Sequence, residues 1–344
     1  MKKIKCDVLP EASLNTVLIV LNTHKFCVVV DQDQNCIGTI TDGDIRRFLI
    51  NSPQENPVAK SICNTNYIYS KDPSKLPFTQ EISHIPVFSE QNKYLYTIKK
   101  ELSDLPHLFS KHTGFVIMAG GLGSRMGIIT KNIPKPMLNV AGIPIIERII
   151  RSAKRYGFSD IFVIVNHLSK SITSYLKDGS ELDVNINYIH ERDKRGTAGS
   201  LDSPLLDQYD NLLVTNGDIL SDINLRLFRA FHMDRNNSFT MAVKLHSIKN
   251  DYGIVDVEGL KIKALKEKPI YKSYINAGIY VVNAEVRKLI VKDEYIDMTD
   301  LCLRSIQSNF PTEVFPFTET WHDIGSPNKL HDAEQWFYKE NLET

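Results

Sequence analysis

Residues 114–138 read GFVIMAGGLGSRMGIITKNIPKPML, and no other stretch constrains the chain as much. A short apolar run leads into Gly120, Gly121 and Gly123. Arg125 follows, and after nine intervening residues Lys135 stands between Pro134 and Pro136. An apolar run that ends in glycines reads as a buried strand feeding a tight loop. Glycine lets the N–H groups of such a loop approach a phosphate with no Cβ in the way. Arg125 and Lys135 supply cations for that phosphate, and the prolines stiffen the backbone around the lysine. The segment is not a Walker loop, because no G-K-[ST] follows at the required spacing. A dinucleotide fingerprint fits no better: Gly120, Gly121, Gly123 and Gly127 do not space as G-x-G-x-x-G.

Behind this loop the sequence alternates between strand and helix patterns. Residues 115–120, 160–166, 184–190 and 211–218 read as strands, and 143–157 and 169–178 as helices, with a further helix starting at Ala198. Alternation of this kind predicts right-handed crossovers and a mostly parallel sheet covered on both faces. Ligands then sit outside the carboxyl ends of the strands.

The pattern G-G-x-G-[ST]-R with the later P-K-P resembles the signature of sugar-phosphate nucleotidyltransferases. The resemblance covers roughly 115–335 and departs at Ile128, where proline is common. It implies a Rossmann-like, GT-A-like α/β domain over 114–344. It also implies nucleotide contacts from Ala119, Gly120, Gly121, Gly123 and Ser124, with Arg125 and Lys135 as catalytic cations. "NGD" (216–218) and "HDIG" (322–325) follow in the family's order, which implies Asp218 and Asp323 as ligands of Mg²⁺. "LKEKP" (265–269), "NAGIYV" (276–281) and "DYGIV" (251–255) imply sugar-phosphate contacts from Glu267, Lys268, Asn276 and Gly253. A run such as Lys266-Glu267-Lys268 is ordinarily a solvated face; the proline behind it and the strand downstream favour a site.

"HERDKRGTAGSL" (190–201) resembles the base-recognition segment, with nucleotide contacts implied at Gly196 and Thr197. Glu191, five residues before Gly196, would face the base edge. A carboxylate only accepts hydrogen bonds. Guanine offers two adjacent donors and uracil or thymine only one, so GTP is the expected substrate. Thymidylyl, uridylyl and mannose-1-phosphate guanylyl transfer remain alternatives.

The first 110 residues carry a weak repeat. Residues 26–40 and 84–98 superpose without a gap, Val30 on Phe88 and Ile40 on Ile98, 58 residues apart. Each copy reads as a hairpin. "GTITDGDIRRFL" (38–49) resembles the end of a cystathionine-β-synthase (CBS) motif, which implies that Thr41 and Asp44 contact an adenine nucleotide. The second copy has Tyr96, Lys99 and Leu102 at the matching positions and is degenerate. A CBS pair over 1–110 ahead of the transferase domain looks like enzymes of legionaminic acid pathways. Those are similar to glucosamine-1-phosphate guanylyltransferases, hence the expected sugar. CBS pairs often dimerise, so a homo-oligomer is expected.

Lys and Arg total 41, as do Asp and Glu. A net charge of zero gives no basic field for nucleic acid or a membrane surface. Five scattered cysteines with no CxxC, and an amino-terminal stretch without an apolar core, predict a reduced, cytoplasmic protein. Two readings from other classes stand beside the enzyme. One is an inactive regulatory subunit that binds nucleotide sugar; the other is a CBS-based sensor.

Overall fold

The computed structural model describes residues 2–51, 57–78, 82, 84–99, 113–121, 124–166 and 168–343, with the backbone alone at 22, 51, 124–125 and 339–343. The chain divides into two compact units, Met1–Phe109 and Ser110–Thr344.

The first unit realises the repeat. Cys27–Val30 pairs antiparallel with Cys36–Ile40, and His84–Phe88 with Tyr94–Lys99. Each hairpin shifts register at the same place, between Val29 and Val30 and between Val87 and Phe88. The two turns meet at equivalent residues, because Asn35 bridges Lys93 and the Lys93 ammonium donates to Asn35 Oδ1 at 2.9 Å. Helices Leu14–His24 and Asp42–Asn51 belong to the first copy.

The second unit is built on seven strands: β1 (Thr113–Met118), β2 (Asp160–Val165), β3 (Asn185–His190), β4 (Asn211–Asn216), β5 (Phe239–Lys249), β6 (Ile270–Asn283) and β7 (Thr312–Phe317). Their order across the sheet is β3-β2-β1-β4-β6-β5-β7. The first four run parallel, as do β5 and β7, while β6 opposes both its neighbours. Successive side chains enter opposite cores. Phe115, Ile117, Ile161, Val163 and Leu213 join one; Val116, Phe162, Ile164, Leu212 and Val214 join the other. A sheet buried on both faces needs continuous apolar strands, and this is why these segments lack polar alternation.

The helix Ile145–Arg155 shows how local sequence sets the frame. Ile145, Ile146, Ile149, Ile150 and Ala153 form the buried stripe, while Arg151 pairs with Glu147 one turn back. Gly157 takes φ 87° and ends the helix as a Schellman cap, with Phe158 N–H on Ala153 O and Gly157 N–H on Lys154 O. The helix expected from Ala198 is not formed. Gly199–Asp202 is a single 3₁₀ turn, and Ser203-Pro204 opens another. Pro204 lacks the N–H that would continue a helix and pushes Ser203 into extended backbone.

Candidate active site

Three groups of residues gather around the carboxyl ends of the central strands. The first is the glycine loop. The Ala119 N–H closes β1 onto β2 through Ile164 O at 2.9 Å. A Cβ on Gly120 would lie 2.8 Å from Glu191 Oε2, so a side chain there would displace the Glu191 carboxylate. Glu191 follows β3 directly, and its Oε1 accepts from Ser200 Oγ at 2.6 Å. Burial raises the Glu191 carboxyl above the usual carboxylate range, opposed by hydrogen bonds from Ser200 and Asn166. Glu191 therefore stands over the loop rather than out in solvent. Gly121 is exposed with open space around it. Gly123 and the side chains of Ser124 and Arg125 lie outside the described residues.

The second group is assembled by a short antiparallel ribbon. Ile219–Ser221 pairs with Trp321–Asp323, in register Ile219 to Asp323. The ribbon sets Asp218, one residue before Ile219, beside Asp323, and Ile324 N–H donates to Asp218 O at 3.0 Å. Gly217 packs its backbone on Met118 O and on Pro136; a Cβ would be 2.8 Å from that oxygen. This contact brings the Pro134-Lys135-Pro136 turn onto the strand end. Buried Lys135 consequently pairs with Asp218. Asp323 is held at 2.7 Å by the half-exposed Lys329 of the carboxy-terminal helix Pro327–Glu343.

Asn276 sits across from the ribbon on β6. The strand bulges between Asn276 and Tyr280, with Gly278 at φ 71° and its α-carbon against Asn216. Asn276 Oδ1 accepts from Gly278 N–H, and its amide donates to Tyr280 Oη at 2.8 Å. The Trp321 indole donates to Ala277 O at 2.9 Å and ties this bulge to the ribbon.

The third group lies on the projecting hairpin Ile254–Glu258/Lys261–Lys266. A Cβ on Gly253 would be 2.8 Å from Glu267 Oε2, so these two form one cluster. Lys268 is exposed and takes a left-handed φ of 41°, a conformation that costs a non-glycine residue ~1–2 kcal/mol.

Gly196 and Thr197 serve the frame. Gly196 (φ 76°) lies on Ile296 O, where a Cβ would be 2.4 Å away. Thr197 N–H and Oγ1–H both donate to Asp297 Oδ1, and Met298 N–H donates back to Thr197 Oγ1. Asp297 caps the helix Met298–Gln307, so this loop and that helix are capped together. In the first unit, Thr41 N–H and Oγ1–H donate to Asp44 Oδ2 at 2.8 and 2.6 Å, and Arg47 holds the other oxygen.

Asp218 and Asp323 lie one register step apart across the ribbon, and carboxylate oxygens are the ligand type that Mg²⁺ takes. Among the described residues no group of three or more His, Cys, Asp or Glu gathers as a metal cluster. Mg²⁺ completes its shell with water and phosphate oxygens, so two carboxylates fit it. Among the described residues no helix is long and apolar enough to cross a membrane.

The sequence reading missed Asn166, Ser200, Gly217, Gly278, Asp297 and Lys329. Of these only Asp297 carried a local signal, the cap spacing Asp297–Asp300.

A mostly parallel sheet with a glycine loop, a buried lysine and two aspartates near its strand ends defines a nucleotide-handling α/β enzyme class. Residues 115–340 match the nucleotidyl transferase family, to which the chain belongs, and residues 8–51 match the CBS domain. The UTP–glucose-1-phosphate uridylyltransferase of Synechocystis is 31% identical over 233 residues, covering 61% of this chain and 59% of that protein. The D-glycero-α-D-manno-heptose 1-phosphate guanylyltransferase of Campylobacter jejuni is 27% identical over 218 residues, covering 63% and 96%. The crystal structure of HddC from Yersinia pseudotuberculosis shares the fold, with a TM-score of 0.52, 21% identity, and coverage of 65% and 99%.

Gly196→Ala should lower stability by at least ~1–2 kcal/mol from the left-handed φ alone. Urea unfolding measures it; a loss below about 0.5 kcal/mol, the usual size of a neutral surface change, would contradict the close approach to Ile296.

Proposed function

We propose that the chain joins a nucleoside triphosphate, GTP by preference, to a sugar 1-phosphate, giving a nucleotide sugar and pyrophosphate. The observation that carries this reading is the convergence of Lys135, Asp218 and Asp323 on strand ends beside the glycine loop. Relatives named for guanylyl and uridylyl transfer to sugar 1-phosphates support the reaction class.

In this reading a sugar-phosphate oxygen forms a bond to the α-phosphorus as the bond to the pyrophosphate oxygen breaks, in line. The attacking group is already anionic, so no side chain has to take a proton. The protein's task is positioning and charge neutralisation. Lys135 and Arg125 stabilise charge developing on the α-phosphoryl and departing oxygens. Lys268 holds the sugar's phosphate, while Glu267 and Asn276 contact its hydroxyls. Asp218 and Asp323 would hold Mg²⁺, which when bound neutralises phosphate charge.

Glu191 reads the base. Its carboxylate oxygens retain acceptor capacity beyond the Ser200 bond, which suits the two adjacent donors of guanine. The order of modules, a CBS segment ahead of the transferase, favours glucosamine 1-phosphate as the sugar.

Pyrophosphate release across five nucleoside triphosphates, each with glucosamine, mannose and glucose 1-phosphates, tests this directly. GTP with glucosamine 1-phosphate should be the fastest pair. Silence in every pair from folded protein would overturn the enzyme in favour of a regulatory subunit.

Asp323→Asn should lower turnover by at least about 100-fold with the fold intact, because its partner Lys329 is half-exposed. Asp218→Asn is a poorer test: it strands the buried Lys135 ammonium, and breaking a buried pair costs ~3–5 kcal/mol. Circular dichroism and activity on the Asp323 variant decide the point.

Glu191→Gln should reduce the preference for GTP over UTP about tenfold or more, one unpaired donor costing ~1–3 kcal/mol. Because burial raises the carboxyl, ionised Glu191 opposes folding as pH rises through its folded pKa. The Gln variant should therefore unfold at higher temperature than wild type at neutral pH. The gap should shrink as pH falls and the wild-type carboxyl protonates, and KM for GTP in the wild type should rise over the same range. A thermal midpoint equal at every pH would contradict the assignment.

A further inference from the structure

The ribbon that carries Asp218 and Asp323 also lines a cavity of about 150 Å³. Lys135, Asp218, Asp323 and Glu191 do not line it, so it is distinct from the transfer site. Its inner wall is apolar, made by Phe115 on β1, Ile149, Ile219 and Ile279. Trp336 and Phe337 of the carboxy-terminal helix add an aromatic side. A space of this size takes a six-membered carbon ring.

The polar groups are few and specific. Arg148, Ser152 and Arg155 line the cavity at i, i+4 and i+7 of the helix Ile145–Arg155, on one face. Arg148 stacks on Phe337, 4.1 Å to the ring centroid, and donates to Val140 O. Arg151 is paired with Glu147, and Asp222 faces Arg155 electrostatically. Of the charged side chains that line the cavity, three are guanidiniums and one, Asp222, is a carboxylate. His322 Nε2, on the ribbon, is buried with no hydrogen-bond partner. Buried polar atoms in native folds are nearly always satisfied, and a bound molecule would satisfy this one.

We infer that this cavity is a second small-molecule site, taking a compact organic monoanion with its ring on the apolar wall, its carboxylate on the guanidinium face of Arg148 and Arg155 and a polar edge on His322. Leu220 and Ser221 of the ribbon line it too, so ligand in the cavity shifts the strand pair that sets Asp218 against Asp323. Occupancy and metal affinity are thereby coupled, and the coupling is reciprocal.

The test uses the full chain with 4-fluorobenzoate as probe, followed by fluorine NMR. Binding should be saturable, be competed by benzoate and persist in saturating GTP. It should weaken at least tenfold in Ser152→Trp, which fills the cavity, and in Arg155→Ala, an exposed change. No saturable binding, displacement by GTP, or equal binding in both variants overturns the site. In a second arm, Mn²⁺ affinity measured by water-proton relaxation should change at least threefold with saturating benzoate. An unchanged affinity overturns the coupling. That arm rests on the metal role proposed for Asp218 and Asp323, whereas the fluorine arm does not, so the two failures are distinguishable.

Discussion

Three residue pairs, Ile219 with Asp323, Leu220 with His322 and Ser221 with Trp321, join segments a hundred residues apart, and the site depends on them. They bring the backbone of Asp218, which follows β4 of the main sheet, next to that of Asp323. The ribbon is braced from several directions. Ser221 Oγ donates to Thr320 O, and the Lys244 ammonium donates to Thr318 O and Glu319 O in the turn just before it. Burial lowers the Lys244 pKa, yet both contacts are donations that an amine supplies. Through Trp321 the same ribbon fixes the β6 bulge, so Asp323 and Asn276 share one brace.

Two neighbouring carboxylates repel unless something compensates them. Here each has its own lysine, Lys135 for Asp218 and Lys329 for Asp323, and the two lysines differ in character. Lys135 is buried between prolines on a 3₁₀ turn, so its ammonium is locked in place. Lys329 is half-exposed at the start of a long helix and is screened by solvent. Lys135 is therefore the costlier of the two to leave unpaired, while Lys329 is easily exchanged for a different cation.

The sheet, the helix after the loop and both amino-terminal hairpins were legible in the sequence, because periodicity and Gly/Pro punctuation are local signals. The recurrence of a register shift at Val29/Val30 and Val87/Phe88 even preserves the 58-residue spacing of the repeat. The helix assigned from Ala198 failed where Pro204 outweighed the apolar pattern around it. Most of what stayed hidden was non-local. Gly217 and Gly278 are glycines because Met118 O and Asn216 approach them, and neither neighbour is near in sequence. Gly196 and Thr197, expected as nucleotide contacts, also meet Ile296 and Asp297, a hundred residues on, which no local pattern announced. Lys329 gave no sign at all, since an exposed lysine on a polar helix is ordinary.

The shared capping of the 196–198 loop and the helix Met298–Gln307 also bears on how such an enzyme diverges. Gly196 and Thr197 answer to the fold, because changing either opens a seam between two distant segments. Glu191, five residues earlier, rests on Ser200, Asn166 and the face of Gly120, with Arg195 acting on it electrostatically. Glu191 can thus be exchanged without opening that seam, so what this side chain touches and what holds the scaffold beneath it are separate sets of contacts.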